Sequence, residues 1–230
     1  MGFLEGTSLL RCVGLTREYT AHGAVSKALD DVSLVVPRGG LTAITGPSGS
    51  GKSTLLAVIG CLDRPTGGRV FLDGVDLTRL SRRGRRQVRR TKLRIMQPQP
   101  SDNLFDRLDA SGNLQWAARQ AGAHLDLLVE ELLDRVGLAG KAPRNVRELS
   151  GGEQQRLALA CCLIGMPSIV LADEPTASLD PANAEVVAAA FRAVADSGAT
   201  VLVATHDPLL VAVADRVVAL DRGCLQEDPA

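Results

Sequence analysis

A glycine-rich stretch in the first third of the chain has the residue types and spacing of a phosphate-binding loop. The pattern GxxxxGK followed by Ser or Thr runs from Gly46 to Ser53. Glycines let consecutive backbone N–H groups turn inward around a phosphate, the lysine bridges the β- and γ-phosphates, and the hydroxyl ligates Mg²⁺. Strand-like residues before the loop and helix-like residues after it argue against an ordinary glycine turn. We predict that nine residues of this loop bind a nucleotide: Gly46, Pro47, Ser48, Gly49, Ser50, Gly51, Lys52, Ser53 and Thr54.

An acidic pair follows a run of apolar residues in the second half of the chain. Residues 169–172 read Ile-Val-Leu-Ala, and Asp173 and Glu174 come directly after them. Burying two carboxyl groups at the end of a strand costs free energy, which argues against a turn with only a structural role. The alternative to a functional site is a strand end exposed to solvent. Beside a phosphate loop, the pattern predicts that Asp173 binds the metal ion and that Glu174 is the general base for water. Lys52 joins Glu174 among the catalytic candidates.

The residues from 149 to 156 read LSGGEQQR and point to a family. They resemble the signature LSGGQQQR of ATP-binding-cassette (ABC) ATPases, with Glu153 at the variable position. From this motif the resemblance extends over nearly the whole chain. It implies that Tyr19 is the aromatic residue that stacks on adenine and that Asp180 belongs to the D-loop. It also implies that His206 is the switch histidine, a further catalytic candidate that senses the γ-phosphate.

Some stretches of the chain resemble one branch of the family, and others depart from the family's pattern. Residues 60–67 and 171–176 look most like the lipoprotein-release and macrolide-export branch of the family. The family expects one glutamine after an apolar strand, contacting Mg²⁺ and facing the membrane partner, whereas Gln97 and Gln99 here flank a proline. We favour Gln97 because it directly follows the apolar residues, and Gln99 stays the rival. Cysteines stand at residues 161–162, where the family commonly shows an Ala-Arg-Ala run.

The resemblance implies an ATPase whose two nucleotide sites are each shared between two subunits. The signature of one subunit caps the ATP bound to the other, since small residues at a helix N-terminus can approach the γ-phosphate closely. The second subunit would be another copy of this chain or a close relative, and both would dock on separate transmembrane permease subunits. ATP and Mg²⁺ are the implied cofactors. The implied nucleotide contacts outside the phosphate loop are Tyr19, Gln97, Ser150, Gly151, Gly152 and Asp180, and the implied metal ligands are Ser53, Gln97 and Asp173.

These motifs need strands and helices to position them, and the apolar runs of the chain predict where those lie. Continuous apolar runs are typical of parallel strands buried on both faces, and their alternation with helices predicts an α/β fold. The resemblance implies a P-loop NTPase (RecA-like) core, an N-terminal antiparallel β subdomain and an inserted α-helical subdomain. We expect a single ABC ATPase domain over residues 1–230, with its core at about 1–94 and 166–230 and the helical subdomain at about 95–165. Strands are predicted at residues 9–13, 32–36, 41–45, 70–72, 168–172 and 200–204, and a helix at residues 182–195.

Length and composition exclude several classes of protein. With 230 residues, 45% of them hydrophobic and 23% charged, the chain is expected to form one globular domain rather than a disordered or fibrous one. Lys+Arg and Asp+Glu both number 26, so no overall charge draws it to nucleic acid or to an anionic membrane. Its longest apolar stretch is interrupted by Gly165 and Pro167, and residues 1–10 lack the layout of a signal peptide. We expect a cytoplasmic protein held at the inner face of the membrane by its transmembrane partner.

Several alternatives are less favoured. The basic run at residues 81–94 suggests a nucleic-acid patch, but it lacks interleaved aromatic residues, so a solvated helix is preferred. His22 and His124 match no motif and are expected on the surface, and the five scattered cysteines fit free thiols in a reducing cytosol. A soluble ABC ATPase acting on ribosomes or DNA is the first rival function, although the chain has one cassette and no coiled-coil arm. A P-loop GTPase or kinase is the second, although the guanine-reading NKxD pattern is absent.

Overall fold

The structure of the protein, a computed structural model, describes residues 8–21, 24–123 and 129–226. His22 and His124, which were predicted to be on the surface, lie outside these residues. Strands and helices alternate through most of the chain, and two short 3₁₀ helices, Pro100–Asp102 and Val146–Glu148, lie between them. In chain order the elements are β1 (Ser8–Ala21), β2 (Ala24–Pro37), β3 (Gly40–Thr45), α1 (Lys52–Ile59), β4 (Gly67–Leu72), β5 (Val75–Asp76), α2 (Arg82–Thr91), β6 (Leu93–Met96), α3 (Ala110–Ala121), α4 (Val129–Arg135), α5 (Gly151–Leu163), β7 (Ile169–Asp173), α6 (Pro181–Asp196), β8 (Thr200–Ala204), α7 (Pro208–Ala212), β9 (Arg216–Asp221) and β10 (Cys224–Leu225).

Two sheets make up the framework. The smaller sheet has the strand order β2-β1-β4-β5 and is antiparallel throughout. The larger has the order β10-β9-β3-β8-β7-β6 and is parallel except for β10, which pairs antiparallel with β9. β1 and β2 extend well beyond the predicted residues 9–13 and 32–36. Their additional residues include the exposed stretch 24–27, which has no apolar face for the pattern to reveal.

Two apolar cores lie on opposite faces of the larger sheet, because successive side chains of a strand point to opposite faces. On β8, Val201 and Val203 contact the core that contains Phe191 of α6. Leu202 of the same strand contacts the other core, which contains Leu55 of α1 and the apolar face of the smaller sheet. A strand covered on both faces favours apolar residues at successive positions, which explains the continuous apolar run at residues 201–204.

The segment between β6 and β7 is helical in the residues that the structure describes. Leu114 of α3, Leu133 of α4 and Leu157 of α5 are fully buried in a core that continues onto the larger sheet. The subdomain boundaries at residues 95–165 stay a prediction, and β6 extends to Met96, just inside them. None of the helices within the described ranges combines the length and apolar character needed to cross a bilayer.

Candidate functional site

Three loops meet at one edge of the larger sheet, where the neighbouring strands β3, β8 and β7 end. β3 ends at Thr45 and continues into the phosphate loop, whereas β7 ends at Asp173. Ala204, the last residue of β8, pairs with Ile44 on one side and with Asp173 on the other, so the three ends are level. Because parallel strands bring their carboxyl ends to one edge, motifs far apart in sequence come together here.

The phosphate loop folds through backbone conformations that favour glycine. Gly46, Gly49 and Gly51 have φ values of 148°, 80° and 106°. A Cβ atom at Gly46 would overlap the carbonyl oxygen of Leu220, so this position also lacks room for a side chain. No side chain caps the N-terminus of α1, so its first amide groups keep their capacity to bind an anion.

Lys52 is the first residue of α1 and places its charge at the loop. Its side chain is only 8% exposed, and its Nζ donates to the carbonyl oxygens of Gly46 at 2.7 Å and Pro47 at 3.1 Å. The same atom lies 3.7 Å from Oε1 of Glu174. An ammonium group carries three N–H donors and no acceptor, so phosphate oxygens can replace those carbonyls as its acceptors.

Glu174 is held in one position from both sides of its carboxylate. Its φ of 42° is unusual for a residue with a side chain, and its N–H donates to the Ala204 carbonyl at 2.8 Å. Oε2 lies 2.9 Å from Nδ1 of His206 and 3.3 Å from the His206 backbone nitrogen, which donates to it. Oε1 faces Nζ of Lys52. The structure thus brings together the three predicted catalytic residues, Glu174, His206 and Lys52.

Asp173 is half-buried at the end of β7, directly before Glu174 in the chain. Burial raises the pKa of this carboxyl above its ordinary value, and the charge of Glu174 adds to the rise, while the Ser53 hydroxyl and Lys52 oppose it. Within the described ranges, the buried oxygens Oδ1 of Asp173, Oγ of Ser50 and Oγ1 of Thr176 have no hydrogen-bond partner. Carboxylate and hydroxyl oxygens are the ligands that Mg²⁺ prefers, so the residues present fit this ion.

A cleft of about 590 Å³ opens in front of these residues. The phosphate loop, Glu174 and His206 line it together with Ala28 of β2, which carries no chemistry that a sequence pattern could reveal. Tyr19 is not among the lining residues. Its hydroxyl donates to Oδ2 of Asp63 at 3.0 Å, and the Arg17 guanidinium lies 4.3 Å from the centre of its ring. The adenine contact of Tyr19 therefore stays a prediction.

The two rival glutamines lie after β6, and neither lines the cleft. Asn103 binds the backbone of Gln97 on both sides, accepting from its N–H at 2.8 Å and donating to its carbonyl at 2.9 Å. Gln99 instead donates from Nε2 to the Ser178 hydroxyl at 3.1 Å. Met96 pairs with Ala172, so Gln97 follows the strand at the level of the acidic pair. No sequence pattern marks Asn103, so its contact with Gln97 could not be predicted.

Ser150 begins the signature helix α5 in a reciprocal capping arrangement. Its hydroxyl accepts from the Glu153 N–H at 3.3 Å, and Oε2 of Glu153 accepts from the Ser150 N–H at 2.9 Å. This backbone hydrogen bond is the main cause that lowers the pKa of Glu153, and Lys141 at 3.2 Å contributes as well. The departure of Glu153 from the family's usual glutamine thus adds a charged cap to the helix.

The remaining signature residues pack against the start of α6. A Cβ atom on Gly152 would lie 2.7 Å from Oδ1 of Asn183, so only glycine fits there without displacing that side chain. Asp180 caps α6 by accepting from the Asn183 N–H at 3.0 Å. Neither Asp180 nor Ser150, Gly151 or Gly152 lines the cleft at the phosphate loop. Within one chain, the structure therefore leaves the predicted γ-phosphate cap apart from the phosphate loop.

Comparison with known sequences places the chain among ATP-binding cassettes. The family described as ABC transporter matches residues 29–177. The lipoprotein-releasing system ATP-binding protein LolD of Hyphomonas neptunium is 40% identical over 222 residues, which cover 94% of this chain and 96% of LolD. The macrolide export ATP-binding/permease protein MacB of Rhodospirillum rubrum is 39% identical over 223 residues, which cover 96% of this chain and 34% of MacB. The chain thus spans nearly all of one relative and about a third of the other.

Comparison with solved structures gives the same result. The ATP-binding cassette MJ0796, described as a dimer in a post-hydrolysis state bound to ADP and Pi, superimposes with a TM-score of 0.82 at 32% identity. The match covers 95% of this chain and 97% of that one. A second dimeric structure of MJ0796, described as a bacterial ABC transporter cassette, gives a TM-score of 0.81 at 33% identity, with the same coverage. The predicted fold class is confirmed.

Proposed function

The chain belongs to the ABC transporter family, and from this premise we propose that it binds and hydrolyses ATP as the ATPase subunit of a transporter. The observation that carries the proposal is the convergence of Lys52, Asp173, Glu174 and His206 around the phosphate loop. A bound nucleotide would occupy the cleft with its phosphates at the loop and at the N-terminus of α1.

The catalytic residues divide the work according to their contacts. Lys52 exchanges the Gly46 and Pro47 carbonyls for phosphate oxygens and holds the phosphates against the loop. Glu174 accepts a proton from the attacking water, and the hydrogen bond between its Oε2 and His206 keeps the carboxylate directed into the cleft. His206, whose side chain is 69% exposed, can contact the γ-phosphate from the open side of the cleft.

Hard oxygen donors at the same edge would hold the metal ion. Asp173 and Ser53 would supply a carboxylate and a hydroxyl, and Gln97, which follows β6, would supply an amide oxygen. Bound Mg²⁺ would screen the phosphate charge and stabilise the charge that develops during phosphoryl transfer. Its arrival would also offset the cost of burying Asp173 without a cation.

We further propose that each nucleotide site is completed by a second subunit. Ser150, Gly151 and Gly152 lie apart from the cleft of their own chain, so they can cap a γ-phosphate only in another cassette. MJ0796, which superimposes closely, is described as dimeric. In this arrangement Asp180 lies at the subunit interface, and Tyr19 stacks on the adenine of its own site.

The transport function requires membrane partners outside this chain. The helical subdomain, at about residues 95–165 of a single domain over 1–230, would dock on transmembrane permease subunits near Gln97. The protein would then lie at the cytoplasmic face of the membrane. LolD is named for lipoprotein release and MacB for macrolide export, and the stretches at residues 60–67 and 171–176 favour this branch.

Purification of the tagged chain from detergent-solubilised membranes of its native cells tests this function. We expect a permease subunit to co-purify and the complex to hydrolyse ATP in the presence of Mg²⁺. The exposed variant Glu185→Gln, on α6, serves as a matched control for tag and handling. Recovery of ribosomes or of nucleic acid, with no membrane protein, would instead support the soluble ABC ATPase and overturn the transport function.

A further inference from the structure

A second cleft, outside the nucleotide site, is formed by α2, β6 and α3. Its volume is about 580 Å³, and we call it the arginine cleft. Five of its six lining residues are arginines, and none is acidic. Because a guanidinium stays protonated at any physiological pH, this region concentrates positive charge in a chain whose formal net charge is zero. The lining residues are Arg86, Arg89, Arg90, Arg94, Arg119 and Gln120.

The positive charge of the arginine cleft is not neutralised within the described parts of the chain. Arginines elsewhere form ion pairs with carboxylates, such as Arg17 with Asp63 and Arg147 with Asp106. None of the five arginines of the cleft lies within 4.0 Å of a carboxylate oxygen there. Bringing several cations together without a counter-ion is unfavourable, and an anionic ligand would reverse the sign of that contribution.

Three of these guanidinium groups are held in place by neutral acceptors. Nη1 of Arg89 donates to the Cys61 carbonyl at 2.6 Å, and Nε of Arg90 donates to the Gln120 carbonyl at 2.7 Å. Nη1 of Arg94 donates to the Arg89 carbonyl at 2.8 Å, and burial lowers the pKa of Arg94. Backbone carbonyls orient these groups without cancelling their charge. The remaining N–H groups of Arg89 and Arg90 are available to a ligand at little additional ordering cost.

We propose that the arginine cleft binds a phosphate-bearing anion, which is either the headgroup of an anionic lipid or a free phosphorylated small molecule. The planar fork of a guanidinium matches the oxygens of a phosphate, and a phosphate monoester carries about −1.5 to −2 charge at pH 7. Clefts of roughly 300–1,000 Å³ accommodate small-molecule ligands. On a merely solvated helix the arginines would spread into water, whereas here side chains of two helices and a strand converge.

The experiment compares two double variants that remove the same charge. Arg86→Gln with Arg119→Gln removes two cleft arginines whose side chains make no hydrogen bond or ion pair in the residues described, so the fold is spared. Arg82→Gln with Arg83→Gln removes two exposed arginines of α2 that do not line the cleft. Calorimetry with inositol hexakisphosphate, at saturating Mg²⁺ and ADP to fill the nucleotide site, measures the soluble ligand. Flotation with phosphatidylglycerol vesicles, against phosphatidylcholine vesicles, measures the lipid.

We expect the full chain to bind at least one probe, with affinity at least about tenfold lower in the cleft variant and nearly unchanged in the control variant. Binding to inositol hexakisphosphate alone assigns a free phosphorylated molecule, and binding to vesicles assigns a lipid headgroup. No binding to either probe, or an equal loss in both variants, overturns the proposal. Basal ATP hydrolysis should be unchanged in the cleft variant, so failure of this test leaves the proposed ATPase function unaffected.

Discussion

Replacing Glu174 by glutamine removes a proton acceptor while keeping the shape of the side chain. The amide can still contact Nδ1 of His206, which lies 2.9 Å from Oε2 of the carboxylate. The substitution removes the carboxylate that lies 3.7 Å from Nζ of Lys52, and with it the group that accepts a proton from the attacking water. A general base contributes about 10²–10⁴ to a rate, which corresponds to roughly 3–5 kcal/mol of barrier. We therefore expect turnover at least ~100-fold slower, because no other group replaces the base.

The assay for Glu174→Gln has two parts. Release of inorganic phosphate at saturating ATP and Mg²⁺ measures turnover, and a fluorescent ATP analogue measures binding. Binding should be retained, since Lys52 and the amide groups of the phosphate loop are unchanged. Glu185→Gln, an exposed carboxylate on α6, should leave both quantities unchanged. Turnover of Glu174→Gln within about fivefold of the parent would show that the assigned base is wrong.

Four other substitutions test three separate parts of the reasoning. Ser150→Arg should lower the free energy of unfolding by about 1 kcal/mol, because α5 loses its N-cap. One subunit should still bind ATP, but the ATP-dependent dimer should be absent in gel filtration. An unchanged dimer would contradict the shared site. Asp173→Asn should raise the melting temperature at pH 7 without nucleotide, because a raised pKa means that the ionised carboxyl destabilises the fold as pH rises. That gain should vanish below the ordinary pKa of aspartate, while Mg²⁺-dependent hydrolysis is lost; a lower melting temperature at pH 7 would refute the assigned cause. Gly46→Ala should destabilise the protein far more than Gly49→Ala, because a Cβ atom at Gly49 meets open space. Gly49→Ala should cost only about 1–2 kcal/mol, since alanine must adopt a left-handed backbone conformation there. Equal free energies of unfolding in urea would contradict the steric argument.

The nucleotide cleft was predictable because its chemistry lies in short motifs at the ends of strands. The phosphate loop follows β3 and the acidic pair follows β7, and both strands show as apolar runs. Parallel strands bring their carboxyl ends to one edge, so the motifs had to meet if both strands lay in one sheet. The strand order β3-β8-β7, which places His206 between them, follows from the fold rather than from any local pattern.

Contacts between residues without a motif could not be predicted. Asn103 binds the backbone of Gln97, and nothing in its type or spacing marks it. The basic run predicted a solvated helix, and α2 forms there, yet the arginine cleft also needs Arg119 from α3. Strand β2 was predicted too short in part because its residues 24–27 are exposed on both faces, where hydrophobic alternation is absent.

The short stretch after β6 is anchored at two adjacent residues, Pro98 and Gln99. The side chain of Gln155, buried in α5, donates to the Pro98 carbonyl at 2.6 Å, and Gln99 donates to Ser178. The prolines at positions 98 and 100 fix the backbone φ angle on either side of Gln99. A displacement of this stretch would therefore reach two elements at once, the signature helix α5 through Gln155 and the turn before α6 through Ser178.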